Sequence, residues 1–356
     1  MVLAVIGVGL VGGSVAIAAR ERLGATVRAY DGVDGVVALA AQRGAVDVAC
    51  SSIEEALEGA EIAVVATPVG ALCQTLLAVL AAASPDCAVT DVGSTKRLVV
   101  EAISDPRFIG GHPLAGAETA GVENARADLF DDATWYLTPT SKTEGMLFER
   151  VHRMIVALGA RPTSIEAANH DRVMADVSHL PHILANVLVG QAASSLADDG
   201  QPIPATGPSF RAAARVAGAN SAIWTDIYLS NAEALVEEVD GVIARLQTTR
   251  DALASRDGAQ LTAWNDRAAA DRRRLLEVRT PAGAVQELRV AVPNRAGVVA
   301  EVALALGRAG IDIVDMALYP STDMRDGVIA LWIAGEAPTQ EAARLMVELG
   351  FPASPA

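Results

Sequence analysis

The stretch Val2-Leu3-Ala4-Val5-Ile6-Gly7-Val8-Gly9-Leu10-Val11-Gly12 decides the fold of the first part of the chain. Its first five residues are apolar and rich in β-branched side chains, and they predict a buried strand that ends at a glycine turn. A helix to about Arg22 follows, and then a second strand from Val27 to Tyr30. Strand, glycine turn, helix and strand in this order are the setting in which a G-x-G-x-x-G motif binds a dinucleotide.

The three glycines of this motif have different physical roles. Gly7 allows the tight turn, Gly9 lets backbone N–H groups approach a pyrophosphate, and Gly12 lets the helix pack closely on the sheet. Asp31 ends the second strand, where a carboxylate accepts hydrogen bonds from the ribose hydroxyls, and no arginine follows it to bind a 2′-phosphate. The sequence therefore favours NAD over NADP, although Asp31 as a plain turn or helix-capping residue is the alternative.

Three further buried strands are predicted, at Ile62–Ala66, Ala88–Asp91 and Phe108–Gly111. Thr67, Ser94 and His112 follow these strands, and loops at the carboxyl ends of parallel strands face the cofactor. We therefore expect the three side chains in one crevice of a Rossmann-type α/β domain that covers residues 1–165. The predicted cofactor-binding residues are Gly7, Gly9, Leu10, Val11, Gly12, Asp31 and Thr67.

The remainder of the chain predicts two more domains. Residues 166–278 have long Ala/Val/Leu stretches with helical period, which indicate an all-α domain and, through interlocking apolar helices, a homodimer. Residues 279–285 are a linker by composition. Residues 286–356 follow the order β-α-β-β-α of a ferredoxin-like α+β module, in which the last strand is missing or very short and leaves an exposed sheet edge.

Composition excludes several classes of function. The chain has 356 residues with 43 acidic and 28 basic side chains, a net charge of −15, which argues against a nucleic-acid partner. Its three cysteines lack metal-type spacing and suit a reducing cytoplasm. The apolar run Val2–Ala19 lacks a positively charged start and contains the glycine turn, so we predict neither a signal peptide nor a membrane span there, and no other stretch is expected to cross a bilayer.

The candidate chemical groups are histidines and one arginine. His112 lies in Gly110–Glu118, interpreted as a glycine-hinged loop, and its alternative is an exposed turn histidine. His179 and His182 are three residues apart on one helix face, but no third ligand has metal-site spacing, so no metal is predicted and a packed histidine beside a cleft-lining one is favoured. Arg215 is a candidate anion clamp or a surface arginine. The other two, His152 and His170, are expected to be surface or helix-end residues.

Five segments together resemble the prephenate dehydrogenase family in order and spacing over about the first 250 residues. They are Gly7 to Gly12, Asp91 to Lys96, Gly110 to Glu118, Ser178 to His182, and Arg215 to Trp224. The tail from Leu288 to Met316 resembles an ACT domain, an amino-acid-sensing module. The resemblance implies NAD-dependent oxidative decarboxylation of prephenate to 4-hydroxyphenylpyruvate in tyrosine biosynthesis.

The resemblance also implies roles for individual residues. His112 would take the proton of the substrate hydroxyl as a neutral imidazole, and Ser94 would orient that imidazole and the hydroxyl. Arg215 would bind the ring carboxylate, and His182, with His179 nearby, would meet the keto-acid side chain. Glu118 would act at the pocket entrance. L-tyrosine would bind as an effector at Asn294, Arg295 and Gly297.

Three rival functions remain. Arogenate carries an ammonium that favours an added carboxylate, and this chain has Ala212 where relatives often have an acidic residue, which mildly favours prephenate. A β-hydroxyacid dehydrogenase would need a lysine on the long helix, and residues 166–195 contain none. A non-catalytic amino-acid sensor on a degenerate dehydrogenase scaffold is the third, and intact His112, Ser94 and Arg215 argue against it.

Overall fold

The computed structural model describes residues 1–116, 119–197, 206–276, 283–321 and 325–355. The chain divides into two compact units. The first unit combines Met1–Asp171 with Asn220–Ser230 and Gly283–Ala356, and the second combines Arg172–Ala219 with Asn231–Ala282. The C-terminal sheet module therefore belongs to the same compact unit as the nucleotide-binding region.

An eight-stranded sheet forms the centre of the first unit. Its strands are β1 (Val2–Ile6), β2 (Thr26–Tyr30), β3 (Val48–Ala49), β4 (Ile62–Val65), β5 (Ala88–Asp91), β6 (Phe108–Pro113), β7 (Thr134–Thr138) and β8 (Arg161–Ser164). Their order is β3-β2-β1-β4-β5-β6-β7-β8, in which β1 to β6 are parallel and β7 is antiparallel to β6. The first six positions have the strand order of a doubly wound nucleotide-binding fold, which confirms the predicted Rossmann-type domain.

Helices cover both faces of this sheet, which explains the continuous apolar runs of its strands. They are α1 (Leu10–Leu23), α2 (Val36–Gln42), α3 (Ile53–Ala56), α4 (Val69–Ala82), α5 (Arg97–Ala102) and α6 (Gly145–Ala157). All four residues of β4 are buried, as expected for a parallel strand with helices above and below it.

The strand that carries His112 is longer than the sequence predicts. β6 runs through Pro113, and His112 pairs with Tyr136 of β7, so His112 lies within a strand rather than on a hinged loop. The two glycines of β6 allow neighbouring atoms to pack closely against the strand. A Cβ on Gly110 would meet the Thr138 hydroxyl, and a Cβ on Gly111 would lie 2.5 Å from the Asp91 carbonyl oxygen. The antiparallel partner β7 therefore extends the strand through the predicted hinge.

The next helices are α7 (Ala167–Met174), α8 (Leu180–Ala197), α9 (Pro208–Ala214), α10 (Ser221–Ser230), α11 (Ala232–Ala254) and α12 (Gly258–Leu276). A π-helical turn, Ala175–His179, joins α7 to α8. The segment Ala167–Ser194 is long and apolar enough, by length and composition alone, to cross a membrane, contrary to the prediction that no such stretch exists. Only 28% of its apolar 18-residue window is buried, and the exposed side chains of the segment include Val177, Leu184, Val187 and Leu188.

The C-terminal module has six elements: β9 (Val285–Pro293), α13 (Val298–Arg308), β10 (Ile313–Pro320), β11 (Asp326–Ala334), α14 (Glu336–Glu348) and β12 (Ala353–Pro355). Its antiparallel sheet has the order β10-β11-β9-β12. This β-α-β-β-α-β arrangement is ferredoxin-like. The last strand exists but has three residues, and it covers part of the β9 edge that the sequence analysis left exposed. Residues 279–282 of the predicted linker lie outside the described residues.

Candidate functional site

The glycine turn has the shape of a dinucleotide cradle. Gly7 has a φ of +94°, and a Cβ there would lie 2.6 Å from the Ala66 carbonyl oxygen. A Cβ on Gly12 would collide with the Gly7 carbonyl oxygen, so Gly12 is needed for the helix to approach the turn. By contrast, a Cβ on Gly9 would meet nothing within 4 Å. The space beside Gly9 is therefore open to a pyrophosphate, and the start of α1, with Gly9 as its N-cap, faces it with its positive dipole end.

Two polar side chains near this cradle fit the rest of a dinucleotide. The Asp31 carboxylate accepts hydrogen bonds from the N–H groups of Val8 and Val33, at 2.7 and 2.8 Å, which holds a negative charge at the tip of β2. A 2′-phosphate would be repelled there, whereas ribose hydroxyls would be accepted. Thr67 has a buried hydroxyl without a hydrogen-bond partner in the described part of the chain. The residues present therefore fit NAD.

His112 is held by a buried chain of hydrogen bonds. Its Nδ1 lies 2.9 Å from Nε2 of His170, and Nδ1 of His170 lies 2.7 Å from Oδ1 of Asp171. The two carboxylate oxygens of Asp171 also accept the backbone N–H groups of Lys96 and Arg97, at 2.8 and 2.9 Å. His170 has no exposed surface and lies in the first turn of α7, so of its two predicted settings, surface or helix end, the surface one is wrong. His152 is buried within α6, away from both ends of that helix, so both predicted settings are wrong for it.

The hydrogen-bond partners assign the protons of both rings. An ionised Asp171 accepts only, so Nδ1 of His170 must donate to it. Burial has the largest effect on the pKa of His170 and lowers it, although the Asp171 carboxylate acts in the opposite direction. The His170 ring is therefore neutral, and its Nε2 accepts a hydrogen bond. Nδ1 of His112 must then be the donor. In a neutral His112 the proton is then on Nδ1 and the lone pair is on Nε2.

A buried ion pair fixes the adjoining strand ends. Lys96 and Asp91 have no exposed side-chain surface and form a salt bridge. Asp91 also accepts the N–H of Gly93, at 2.8 Å, and that of Gly111, at 3.0 Å. Since Gly111 precedes His112, this carboxylate ties the end of β5 to the histidine strand. Without its lysine the buried carboxylate would be left unpaired, which is strongly destabilising.

Ser94 and Thr67 follow the neighbouring strands β5 and β4, so they share the carboxyl edge of the sheet beside the β6 strand of His112. The family resemblance implied that Ser94 orients the His112 ring. The structure gives His170 as the partner of His112 Nδ1 instead. A role of half-buried Ser94 toward a substrate hydroxyl stays a prediction.

The second unit brings together two of its three predicted substrate-binding residues. His182 is half-buried, and its pKa is lowered. Burial is the main cause, and the positive charge of Arg215 adds to it, whereas a hydrogen bond with the Val216 backbone acts in the opposite direction. Arg215 itself is exposed at the end of α9. His179 is 1% exposed, and its Nδ1 lies 3.2 Å from the side-chain amide nitrogen of Asn231, so it is a packed histidine rather than one open to a ligand.

The other predicted site residues lie elsewhere. Glu118 is outside the described residues. Gly297 has a φ of +79° and donates its N–H to the Thr143 carbonyl, at 3.2 Å, while Asn294 donates its N–H to the Arg325 carbonyl, at 2.9 Å. The Arg295 guanidinium pairs with Glu301. Among the described residues, no three His, Cys, Asp or Glu side chains form a group able to hold a metal ion.

Sequence reasoning missed His170 and Asp171. They lie 58 and 59 residues after His112, at the start of the helical region, and no motif spacing links them to it. The available signal was weak: a His-Asp pair in a helix whose following turns are apolar.

A dinucleotide cradle and, at the same edge of the sheet, a histidine hydrogen-bonded through a second histidine to a carboxylate are typical of an NAD-dependent dehydrogenase. The family models described as prephenate dehydrogenase, nucleotide-binding domain, and prephenate dehydrogenase, dimerization domain, match residues 15–164 and 166–266. A prephenate dehydrogenase of Bacillus subtilis is 30% identical over 340 residues, which cover 91% of this chain and 90% of the relative. The chain belongs to the prephenate dehydrogenase family.

Two solved structures are each similar to about three quarters of this chain. Prephenate dehydrogenase from Aquifex aeolicus, in complex with hydroxyphenyl propionate and NAD⁺, has a TM-score of 0.71 and 26% identity and covers 77% of this chain and 98% of its own. Arogenate dehydrogenase from Synechocystis has a TM-score of 0.67 and 27% identity and covers 78% of this chain and 100% of its own. The match to the Bacillus subtilis enzyme covers 91% of this chain. That share is larger than the part of the chain before the C-terminal module, so the match extends into the module.

Proposed function

We propose that this chain oxidises and decarboxylates prephenate to 4-hydroxyphenylpyruvate, with CO₂ and NADH as the other products. Bound NAD⁺ would supply the acceptor for the hydride of the carbinol carbon. The hydroxyl proton leaves as the carbon–oxygen double bond forms, the ring carboxylate departs as CO₂, and its bonding electrons aromatise the ring. The protein must therefore take up one proton, hold two carboxylates and keep the reacting carbon in line with the cofactor.

The observation that carries this proposal is the hydrogen-bond chain from Asp171 through His170 to His112. It leaves Nε2 of His112 as an acceptor for the hydroxyl proton, and the same nitrogen can return the proton to the phenolate oxygen once the ring is aromatic. Ser94 orients the hydroxyl toward it. The negative charge of Asp171 stabilises the imidazolium that forms in between.

We propose that Arg215 and His182 bind the two acidic groups of the substrate. Arg215 binds the ring carboxylate as a bidentate partner, and His182 meets the pyruvyl side chain. The lowered pKa of His182 keeps that ring neutral near neutral pH, so it recognises the keto acid by hydrogen bonds rather than by charge. Glu118 is proposed at the pocket entrance.

Arogenate is the second candidate substrate, and the similarity to Synechocystis arogenate dehydrogenase favours it. The test is a steady-state comparison of prephenate and arogenate, each with NAD⁺ and NADP⁺, followed by NADH or NADPH absorbance. We expect the highest kcat/KM with prephenate and NAD⁺. A higher value with arogenate would replace the substrate and keep the reaction type, and no reduction of either cofactor with either substrate would refute the proposed function.

The organisation of the protein completes the proposal. We propose three domains, at residues 1–165, 166–278 and 286–356, with the last an ACT domain through which L-tyrosine inhibits the enzyme at Asn294, Arg295 and Gly297. A homodimer is supported by the dimerization-domain match and by exposed apolar side chains on the helices of the second unit, including Val187, Val236, Leu246 and Leu253. A cytoplasmic location agrees with three free cysteines.

A further inference from the structure

The C-terminal module packs against the part of the nucleotide-binding domain from which helix α7 begins. Both regions belong to the first compact unit, and one hydrophobic cluster contains buried side chains of both. Phe148 and Val151 of α6 and Val299 and Val302 of α13 are members of this cluster. Helix α13 also contacts β8, the strand that precedes α7. The module is therefore part of the surroundings of the first turn of α7, which carries His170.

The last turn of α13 lies directly against residues 164–166, which lead from the end of β8 into α7. A Cβ on Gly307 would collide with the Ser164 carbonyl oxygen, so this glycine lets the two backbones touch. The next residue, Arg308, forms an ion pair with the Glu166 carboxylate. Two successive residues of the module thus contact both ends of this three-residue segment.

Glu166 holds the first turn of α7. Its backbone carbonyl accepts the N–H of His170, at 2.8 Å, which is the hydrogen bond that begins the helix. Its carboxylate, which pairs with Arg308, also accepts a hydrogen bond from the side-chain amide of Asn169, at 3.1 Å. Since a helical turn is closed by such hydrogen bonds, a shift of Glu166 would move the backbone that carries the His170 ring.

The His170 ring also meets Tyr136, which is influenced by a charge of the module. Tyr136 lies opposite His112 in the antiparallel pair of β6 and β7, and its ring meets that of His170 edge-on, with 5.5 Å between the ring centres. Burial is the main cause of a raised pKa of the Tyr136 phenol, and the negative charge of Asp312, which follows α13, adds to it. The module is thus within electrostatic range of a second ring that touches His170.

We propose that the C-terminal module is a positioning part of the proton-accepting site of its own chain, with Gly307 and Arg308 holding the residues that begin the His170 helix. This role rests on the proposed function, because His170 orients His112 for that reaction. It is a role in turnover that needs no bound amino acid. The backbone position matters because His170 Nε2 must stay within hydrogen-bond distance, 2.9 Å, of His112 Nδ1.

Substitutions in the full chain disturb this contact in two ways. Gly307→Ala adds one methyl group at the backbone contact, whereas an alanine in an unobstructed helix would raise helix stability. Arg308→Gln removes the charge that pairs with Glu166, and Arg308→Lys keeps it. The matched control is Arg344→Gln, which breaks an equally exposed ion pair, with Glu341, on α14 of the same module.

The first measurement is kcat and KM for prephenate with NAD⁺ and no added amino acid. We expect Gly307→Ala to lower kcat about tenfold through displacement of His170, and Arg308→Gln to lower it about two- to fivefold, as for one exposed ion pair, with KM little changed in both. Arg308→Lys and the control should keep the wild-type kcat. A wild-type kcat in both Gly307→Ala and Arg308→Gln would overturn the proposal, and so would an equal loss in the control or a change in KM alone.

The second measurement is amide hydrogen exchange of the first turn of α7, without substrate or NAD. We expect faster exchange of the His170 N–H in Gly307→Ala and Arg308→Gln than in wild type and the control. If Gly307→Ala does not fold, Arg308→Gln still decides the outcome, because it alters only an exposed side chain. No prephenate turnover by wild type would refute the proposed function, whereas unchanged exchange and kcat in the variants of an active enzyme would refute only the role of the module.

Discussion

The surroundings of His112 and of Arg215 differ in how firmly each side chain is held. His112 is bonded to a fully buried His170, which is bonded to a carboxylate that also accepts two backbone N–H groups. Arg215 is exposed at a helix end, near a half-buried His182. A proton acceptor needs its lone pair aimed before substrate arrives, whereas an exposed guanidinium binds a carboxylate mainly through its charge. Loss of the first should therefore lower kcat, and loss of the second should mainly raise KM.

Replacement of His112 tests the first half of this comparison and has the largest expected effect. We expect His112→Asn to lower kcat for prephenate by about two to four orders of magnitude, the usual contribution of a positioned general base. NAD affinity, measured by fluorescence titration, should stay within about twofold, because the cradle is built from other residues. Near-normal turnover would remove His112 from the mechanism.

Replacement of Arg215 tests the other half. We expect Arg215→Gln to lower kcat/KM by about 10- to 100-fold, mostly through KM, as for the loss of one charge-assisted hydrogen-bonded pair. The matched control is Arg211→Gln on the same helix, since Arg211 donates to the Thr206 carbonyl and has no assigned substrate role. An equal loss of kcat/KM in the two variants would show a general effect of charge. A fall in kcat without a rise in KM would show that Arg215 does not contribute to binding of the substrate before the reaction.

Replacement of His170 separates positioning from direct chemistry. We expect His170→Asn to lower kcat about 10- to 100-fold, as for other residues that orient an active-site imidazole, with the KM for prephenate little changed. The thermal midpoint is measured alongside, because a merely structural residue would lower the amount of folded enzyme and leave the turnover of each folded site intact. That second pattern would contradict a positioning role.

His152 gives the smallest expected effect, on stability rather than on activity. Burial lowers its pKa to about 3, and neither ring nitrogen has a hydrogen-bond partner among the described residues. The unfolded chain binds the proton near pH 6.5, so His152 causes a loss of stability that grows as the pH falls below 6.5 and levels off near 3. Urea unfolding of His152→Phe should show less acid sensitivity, by about 2 kcal/mol between pH 6.5 and pH 5. An unchanged pH dependence would mean that His152 gains a partner or solvent.

Local features were predictable, and long-range contacts were not. The glycine motif was predictable from its own spacing. Gly7 and Gly12 answer steric demands from the adjacent strand end and from atoms a few residues away, and Gly9 leaves open space beside the turn. The packing role of Gly110 and Gly111 depends on β7 and Asp91, about 20 residues or more away, so the same glycines were interpreted as a hinge.

The contact between His112 and His170 joins residues 58 apart and follows from how the first turn of α7 meets the sheet. No periodicity in the sequence indicates this contact between α7 and the sheet. The three-residue β12 lies at the limit of what periodicity can detect, since alternation needs about four residues to be visible.

The protonation state of the His112 ring tests the central claim most directly. Nitrogen-15 NMR of the uniformly labelled protein at neutral pH, with His112→Asn used to assign its signals among the five histidines, distinguishes the two neutral tautomers. We predict a protonated Nδ1 and an unprotonated Nε2 for His112. A protonated Nε2 with a bare Nδ1 would contradict the account, because the ring would then present a donor where the reaction requires an acceptor.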